Sequence, residues 1–167
     1  MAVWQFDFHL LPTEGILRRY KVMPIAIPGA DFDQGELIIG FPTLRELEIE
    51  FSKILPPLQS WSEQLKQWGH DDGNRIDDSY EESGISSIFV RVDVRSISHL
   101  FVVAVLDMAR QHALRLRTPD GRLFQPSYAR LLSAIQTSDS FRFVQDPHVF
   151  FDALGRAKAD EESKKDA

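Results

Sequence analysis

The stretch that decides the fold is residues 85–95, which read Ile-Ser-Ser-Ile-Phe-Val-Arg-Val-Asp-Val-Arg. One set of alternate positions is apolar, namely Ile88, Val90, Val92 and Val94, and the other set is Phe89, Arg91, Asp93 and Arg95. Alternation with a period of two is typical of a strand that buries one face. The stretch therefore predicts a strand over 86–95 with one face in the core.

The segments on either side extend this strand into a hairpin and a helix. Residues 75–81 predict an antiparallel partner strand. On the other side, Ser96 or Ser98 can cap a helix that runs to Gln111, because a serine hydroxyl accepts a free N–H group of the first turn. Apolar residues cover most of the circumference of this helix, so we expect it to be central in the core.

Two further patterns complete the predicted sheet. Alternating aromatic residues in 4–8 predict an N-terminal strand that ends near Pro12. The turn 119–121 predicts a second hairpin, because its proline presets φ and its glycine accepts a positive φ. Together these patterns predict an α+β fold. A mainly antiparallel sheet, built from two hairpins and an N-terminal strand, packs on a central apolar helix at about 97–111, with further short helices.

The other helices rest on capping residues and apolar spacing. Residues 14–21 fit either a short helix or a strand. Residues 43–54 fit both periods, and we favour a helix because Thr43-Leu-Arg-Glu46 fits a capping box. A second short helix is predicted over Ser62–Trp68, ending at Gly69. Its apolar stripe is Trp61, Leu65 and Trp68.

The C-terminal part of the chain predicts two helices and a tail. Ser127 is placed to cap one helix, and Asp146-Pro147 to open the last. The last helix is expected to turn Val149, Phe150 and Leu154 inward. Residues 1–154 are expected to form a single globular domain. Residues 155–167 are expected to be a charged, flexible tail, because they contain no apolar residue larger than alanine.

The charge of the chain is unevenly distributed. The 167 residues include 19 Lys and Arg and 25 Asp and Glu, a formal net charge of −6. The acids concentrate in 70–82, an acidic segment that holds one arginine, whereas six arginines stand in the following segment 91–122. These neighbouring extremes either pair with each other within the fold or leave an acidic surface for a basic partner.

Composition argues against several classes of protein. The chain has no cysteine, which excludes a disulfide framework, a thiolate zinc site and an iron–sulfur cluster. Its acidic balance argues against nucleic-acid binding, which needs a basic face. No run of about 18 apolar residues and no basic N-terminal region occur. We therefore expect no membrane partner, no secretory signal and a cytoplasmic location.

No motif predicts a catalytic residue, a metal site or a cofactor. The acidic turn at 71–78 fails the calcium-loop pattern, since Ile76 stands where a ligand is needed. The five histidines have no metal-ligand spacing. Neither a Gly-x-Ser-x-Gly elbow nor a glycine-rich phosphate loop occurs. We therefore expect no cofactor and lean away from catalysis.

Two sets of residues are candidates for function. The predicted partner-binding residues are Asp71, Asp72, Asp77, Asp78, Trp61 and Trp68, as an acidic surface with aromatic anchors. The residues predicted to line a small-molecule pocket are Arg91, Arg95 and Arg115, because guanidinium groups bind carboxylates in a bidentate manner. Both sets have structural alternatives. The tryptophans also suit a core, and the arginines also suit cross-strand pairing with the acids of 75–81.

Part of the sequence resembles a bacterial protein group. The residues that carry the resemblance are Ser60-Trp61-Ser62-Glu63, Trp68-Gly69, Asp72-Gly73 and Arg75-Ile76, which lead into the valine strand. Residues 55–95 are similar to small uncharacterised bacterial proteins, some of which are regarded as immunity partners of secreted toxins. The resemblance implies an acidic protein that binds and blocks a basic toxin domain. It assigns no residue.

Two hypotheses of function follow from the sequence. The first is a bacterial, non-enzymatic protein-interaction module, of the immunity type, that binds a basic partner through its acidic surface. The alternative is an enzyme or small-molecule binder, whose arginine-lined pocket is assembled from residues distant in sequence. The sequence does not determine the oligomeric state.

Overall fold

The structure is a computed structural model that describes residues 3–38, 46–81 and 84–165, with the main chain alone for 157–165. The strands are β1 (Gln5–Pro12), β2 (Pro57–Leu58), β3 (Leu65–Gly69), β4 (Arg75–Glu81), β5 (Gly84–Asp93), β6 (Leu114–Arg117) and β7 (Leu123–Phe124). The helices are α1 (Thr13–Tyr20), α2 (Gln34–Ile38), α3 (Leu47–Ile54), α4 (His99–Gln111), α5 (Tyr128–Gln136), α6 (Asp139–Gln145) and α7 (Pro147–Lys165).

The seven described strands form one antiparallel sheet, in the order β2-β3-β4-β5-β1-β6-β7. Strands β2 to β5 pair consecutively, as do β6 and β7, and β1 is inserted between β5 and β6. Phe8 of β1 lies opposite Val90 of β5, and Leu10 lies opposite Leu116 of β6. The predicted α+β class with an antiparallel sheet is confirmed. The N-terminal strand is a central strand, which explains why its burial is nearly continuous.

One face of the sheet carries the main apolar core. Strand residues that face this core include Phe6, Phe8, Leu10, Ile76, Ile88, Val90, Val92 and Leu116. Helices α3, α4 and α5 supply side chains to it, as the apolar circumference of α4 predicted. The Ser98 hydroxyl accepts a hydrogen bond from Phe101 N and caps α4, so of the two predicted serines Ser98 is the cap. Each fully buried Leu- or Ile-sized side chain contributes about 1.5–3 kcal/mol.

The opposite face of the sheet has a smaller apolar cluster at the β1–β7 end. It consists of Leu11, Ile16, Ile27, Leu37 and Leu123. Residues 14–21, which fit two structures in the sequence, are helical from Thr13 to Tyr20 as α1. Helix α1 packs tightly on α2 at Gly15, where a Cβ atom would lie 1.9 Å from the carbonyl oxygen of Leu37. Only glycine permits this approach.

The remainder of that opposite face is polar but largely buried. We call this set the polar face: Gln5, Asp7, Gln67, Arg75, Asp77 and Arg91. Its members alternate along β1, β3, β4 and β5 with the apolar residues of the core face. Buried charges are tolerated where ions pair and hydrogen-bond with each other, so this face needs internal partners.

The helix predicted over Ser62–Trp68 is wrong. Leu65–Gly69 is strand β3, which pairs with β4 from Leu65 opposite Ser79 to Gly69 opposite Arg75. A segment this short gains little from isolated helix formation, whereas the ladder with β4 satisfies its main-chain groups. Gly69 has a positive φ of 111°, but it starts the turn into β4 and does not end a helix.

The other predicted helices are found, with changes in their burial. Helix α3 confirms the helix predicted over 43–54 for Leu47–Ile54, while the capping-box residues 43–45 lie outside the described residues. Helix α7 begins after Asp146 as predicted and continues through the segment predicted as a tail to Lys165. Val149 and Leu154 are exposed, so their predicted inward orientation is wrong. Helix α7 packs against α6, where the rings of Phe143 and Phe150 are in contact.

Candidate interaction surface

The acidic turn at 70–74 is bound to the start of β1 through its main chain. Gln5 Nε2 donates to the carbonyl oxygen of Asp71 over 2.9 Å, and Trp4 Nε1 donates to that of Asp72 over 3.3 Å. Arg95 donates to the same Asp72 carbonyl and stacks on the Trp4 ring, with its Cζ 4.6 Å from the centroid. The side chains of Asp71 and Asp72 are exposed. These two of the predicted partner-binding acids lie on the surface.

Asp77, the third predicted acid, lies in the polar face and is buried. Its carboxylate accepts hydrogen bonds from Gln67 Nε2 at 2.9 Å and from Arg75 Nη2 at 3.1 Å. Arg91 Nη2 lies 3.2 Å from Asp77 Oδ2. Assigning Asp77 to a surface is therefore wrong, because these contacts enclose the carboxylate within the sheet. Asp77 instead pairs with arginines of the sheet, which is the structural alternative given above.

Asp78, the fourth predicted acid, is fully buried on the core face. Tyr80 Oη lies 2.8 Å from Asp78 Oδ2 and also contacts a carboxylate oxygen of Glu48 on α3. Burial raises the pKa of Asp78 to about 7, although the Tyr80 hydrogen bond acts to lower it. A phenol has one proton, so both contacts are hydrogen bonds only when one of the two carboxyl groups is protonated and donates to Tyr80 Oη. Asp78 does not reach a partner.

The two predicted tryptophans occupy opposite environments. Trp68 is 4% exposed and packs edge-on against Phe51, while its Nε1 donates to Ser52 Oγ over 2.9 Å. Its predicted role as a surface anchor is wrong, since the strand alternation of β3 turns it into the core. Trp61 is 87% exposed. It lies in the loop before β3, at the opposite end of that strand from Asp71 and Asp72.

Serine turns fix the loop that presents Trp61. Ser60 Oγ accepts a hydrogen bond from Ser62 N, and Ser62 Oγ accepts one from Gln64 N, both over 3.2 Å. The carbonyl oxygen of Ser62 also accepts from Leu65 N. Serine hydroxyls that bond to the main chain two residues on are a common way of fixing a turn. The exposed indole is thus held on an ordered loop.

A cleft of about 490 Å³ opens beside this loop at the β2–β3 edge of the sheet. We call it the edge cleft; Ile49 of α3, Ser60, Ser62, Glu63 and Leu65 are among the residues that line it. Ile49 is 64% exposed, so the edge cleft and the adjacent Trp61 present apolar surface to solvent. The sequence analysis did not identify Ile49 and Glu63 as candidate site residues. The signal that could have pointed to this loop is the spacing Ser60-Trp61-Ser62, which is typical of a fixed turn.

The rim of the edge cleft is acidic. Glu48 pairs with Lys66 and Glu50 pairs with Lys53, each over 2.6 Å, so these charges cancel. Glu63 is exposed and forms no ion pair within the described part of the chain. Glu81, also exposed, ends β4 at the same end of the sheet. The surface around Trp61 therefore carries a net negative charge.

The three arginines predicted to line a pocket do not converge. Arg91 lies in the polar face, and Arg95 is held by Asp93, with Arg95 Nη2 2.8 Å from Asp93 Oδ2. Arg115 Nε donates to Thr13 Oγ1 over 3.3 Å on the other side of β1. None of them lines any of the three clefts found among the described residues. The structure therefore does not bring the three arginines together, because separate local partners hold each guanidinium.

The described residues contain neither a cluster of metal ligands nor a membrane-spanning helix. Within residues 3–38, 46–81 and 84–165, no group of three or more His, Asp or Glu side chains is arranged to hold a metal ion. In the same ranges, no helix combines the length and apolar character needed to span a bilayer.

Comparison of the chain with protein-family models, curated proteins and solved structures finds no match.

Proposed function

We propose that this protein is a non-enzymatic protein-interaction module that binds a basic partner protein at the edge cleft. The observation that carries the proposal is Trp61, 87% exposed on a loop that three hydrogen bonds hold in place. Exposed aromatic side chains on ordered loops are typical anchors of interfaces, since they bury a large area at a small entropy cost.

The chemistry around Trp61 supports a partner that combines an apolar contact with a positive charge. Ile49 and the indole offer apolar surface. Glu63 and Glu81 are exposed and form no ion pair among the described residues, so they favour a cation nearby. A lysine or arginine can lay its aliphatic stem on an indole and keep its charge close to a carboxylate. We therefore propose the edge cleft as the acidic partner-binding surface, in preference to the exposed turn with Asp71 and Asp72.

Residues 55–95 resemble small uncharacterised bacterial proteins, some of which are regarded as immunity partners of toxins. This resemblance is consistent with the proposal, since it includes Ser60-Trp61-Ser62-Glu63. A bacterial toxin domain with a basic surface is accordingly the partner class that we propose. In such a complex the module blocks the partner by occlusion and does no chemistry itself.

Affinity capture with matched variants tests the proposal. The immobilised full-length protein is exposed to source lysate at low salt, and the captured protein is identified, purified and measured for its dissociation constant. We expect a basic protein whose binding is weakened at least about 10-fold by Trp61→Ala and by Glu63→Lys. Binding also weakens as salt rises.

The control variants change exposed residues away from the edge cleft. Ile25→Ala removes a side chain that is 90% exposed beside β7, at the other edge of the sheet, and Asp152→Lys reverses a charge on α7. Both are expected to bind as the unchanged protein does. A partner that tolerates Trp61→Ala, or one that is lost on the paired change Asp71→Asn and Asp72→Asn, contradicts the surface assigned here.

A further inference from the structure

A second cleft, of about 500 Å³, opens at the β7 edge of the sheet, on the other side of the molecule from the edge cleft. The segment 25–27 lies alongside β7, where Leu123 N donates to the carbonyl oxygen of Ile25 over 2.9 Å. Helix α5 lines the cleft as well, through a face that begins at Ala129. We call this space the β7 cleft.

The β7 cleft has the size and the apolar surface of a small-molecule site. Ligand pockets in proteins span about 300–1,000 Å³ and combine apolar walls with a few polar groups. Leu123 and Phe124 are nearly buried and form its base, whereas Ile25 is 90% exposed at its rim. An apolar ligand body would remove the Ile25 side chain from water, which is favourable. The lining therefore suits an organic ligand.

The main chain beside the β7 cleft does not offer an edge for a further strand. The carbonyl oxygen of Ile25 and the N–H group of Ile27 bond towards β7. Main-chain groups alternate in direction along an extended segment, so those of Pro24, Ala26 and Pro28 point away from the sheet. Two of these three residues are prolines without an N–H group, which protects an edge from strand addition. A ligand is therefore recognised by side chains.

Arg130 and Ser133 supply polar side chains on the α5 wall of the β7 cleft. Positions i and i+3 of a helix lie on the same face, and both residues are exposed. Arg130 uses its main-chain N–H for the Ser127 cap, and Ser133 uses its carbonyl oxygen for Thr137. The Arg130 guanidinium and the Ser133 hydroxyl have no partner of their own among the described residues. Both groups are accessible donors.

The charge of the β7 cleft is positive, although the chain as a whole carries −6. Arg122, the other charged residue of the lining, has an acid beside it, with its Nε 2.7 Å from Asp120 Oδ2. Among the described residues that line this cleft, none is acidic. Arg130 therefore carries a positive charge that is not compensated at the cleft, and the charge complementary to it is negative.

We propose that the β7 cleft binds a small organic monoanion, a carboxylate with an apolar body. The Arg130 guanidinium and the Ser133 hydroxyl donate to the carboxylate oxygens, and the apolar body covers Leu123 and Phe124. A guanidinium group can donate two parallel charge-assisted hydrogen bonds to one carboxylate, and such pairs are strong. This binding is separate from that of the protein partner proposed for the edge cleft, since the two sites lie at opposite edges of the sheet.

Phenylacetate, phenethyl alcohol and phenethylamine are matched probes, because they share an apolar body and differ in charge. Each is titrated into the purified full-length protein at neutral pH, where the carboxyl group is ionised, and followed by NMR chemical shifts of main-chain amides. We expect saturable shifts at residues of the β7 cleft with phenylacetate alone.

Two variants of exposed α5 residues test the two parts of the site. Arg130→Gln removes the charge and is expected to weaken phenylacetate binding at least about 10-fold. Arg156→Gln on α7 is its matched control, since it removes the charge of an exposed arginine outside the lining, and binding should not change. Ala129→Phe fills the cleft while both donors remain, and it is expected to abolish binding.

The proposal is overturned by any of three results: equal binding of phenethyl alcohol, unchanged binding by Arg130→Gln or Ala129→Phe, or no saturable binding of phenylacetate. Trp61→Ala is expected to retain phenylacetate binding, and Arg130→Gln is expected to retain the basic protein partner. Failure at the β7 cleft and failure at the edge cleft are therefore separate results.

Discussion

Arg91 and Asp77 face each other diagonally across the β4–β5 hairpin, with Arg91 Nη2 3.2 Å from Asp77 Oδ2. Asp77 belongs to the acidic segment 70–82 and Arg91 to the basic segment 91–122, so the contact joins the two charge extremes of the chain. Both side chains are largely buried, with 17% of Arg91 and 8% of Asp77 exposed. Part of the uneven charge is therefore paired within the fold.

Asp77→Asn is expected to lower the free energy of unfolding by about 3 kcal/mol. The reason is that Arg75 and Arg91 keep buried charges after their shared carboxylate is removed. Urea denaturation at pH 7 measures the loss. Asp71→Asn is the matched control. It removes a carboxylate that also contacts Arg75 but is 75% exposed, and it is expected to cost less than about 1 kcal/mol. Equal losses would contradict the burial argument.

Asp78→Asn is expected to stabilise the protein at alkaline pH. The folded pKa of about 7 lies above the usual 3.8, so between these values the folded state holds a proton that the unfolded state has released. Stability contributed by Asp78 is therefore full below about pH 4 and is lost as pH rises through 7. At ~1.4 kcal/mol per pKa unit, the whole change is about 4 kcal/mol at most.

The measurement for Asp78 is the difference in unfolding free energy between variant and unchanged protein, taken at several pH values from 4 to 8. This difference should grow in favour of Asp78→Asn as pH rises. A difference that stays constant across the range would show that Asp78 ionises at the same pH in both states, against the burial seen beneath Tyr80.

His9 is expected to remain neutral in the folded protein down to about pH 4. Its Nδ1 lies 2.6 Å from Gln34 Oε1, and the Phe32 and Phe89 rings pack on either side of the imidazole. Burial lowers the pKa of His9 to about 4. Because the unfolded state binds a proton at about 6.5, His9 contributes stability that is lost as pH falls from 6.5 to 4.

NMR titration of the imidazole signals checks this prediction, with His9→Phe used to assign the His9 signal. A midpoint near 4 agrees with the enclosed site. A midpoint near 6.5 would mean that water reaches the ring, and that the Gln34 contact does not persist in solution.

Truncation of Trp61 and truncation of Trp68 are expected to have different effects on stability. Trp68→Ala removes a core ring and its hydrogen bond to Ser52, which costs about 3–5 kcal/mol. Trp61→Ala is expected to change stability by less than about 0.5 kcal/mol, since its side chain is mostly in water. It should also remove most of the fluorescence that iodide quenches. Retained quenching would contradict the exposure of Trp61.

The sequence predicted elements well wherever one period continued for many residues. The valine alternation of β5 and the apolar circumference of α4 each repeat over ten or more positions, so local pattern and tertiary burial agree. The short segment 65–69 shows the limit. Its apolar spacing suited a helix, but pairing with β4 made it a strand. The residues that pair with it lie 6 to 14 positions further along the chain.

The candidate surface was less predictable, because adjacent acids point to opposite sides of a strand. Asp77 and Asp78 read alike in the sequence, yet one lies in the polar face with arginines and the other lies in the apolar core under Tyr80. The cleft beside β1 that Phe6, Pro119 and Ala134 help to line has no sequence signal, since its walls come from distant segments.

Local patterns in the sequence predicted the fold class, the β4–β5 and β6–β7 hairpins and the central helix, because periodicity and turn chemistry are local properties. Tertiary structure alone decided which charges are paired, which tryptophan is exposed and where clefts form. The net charge of −6 is the same in both descriptions. What each charge contributes depends on its burial. A charge that is paired within the sheet has lost its water, whereas an exposed charge keeps it, and the sequence does not show which of the two applies.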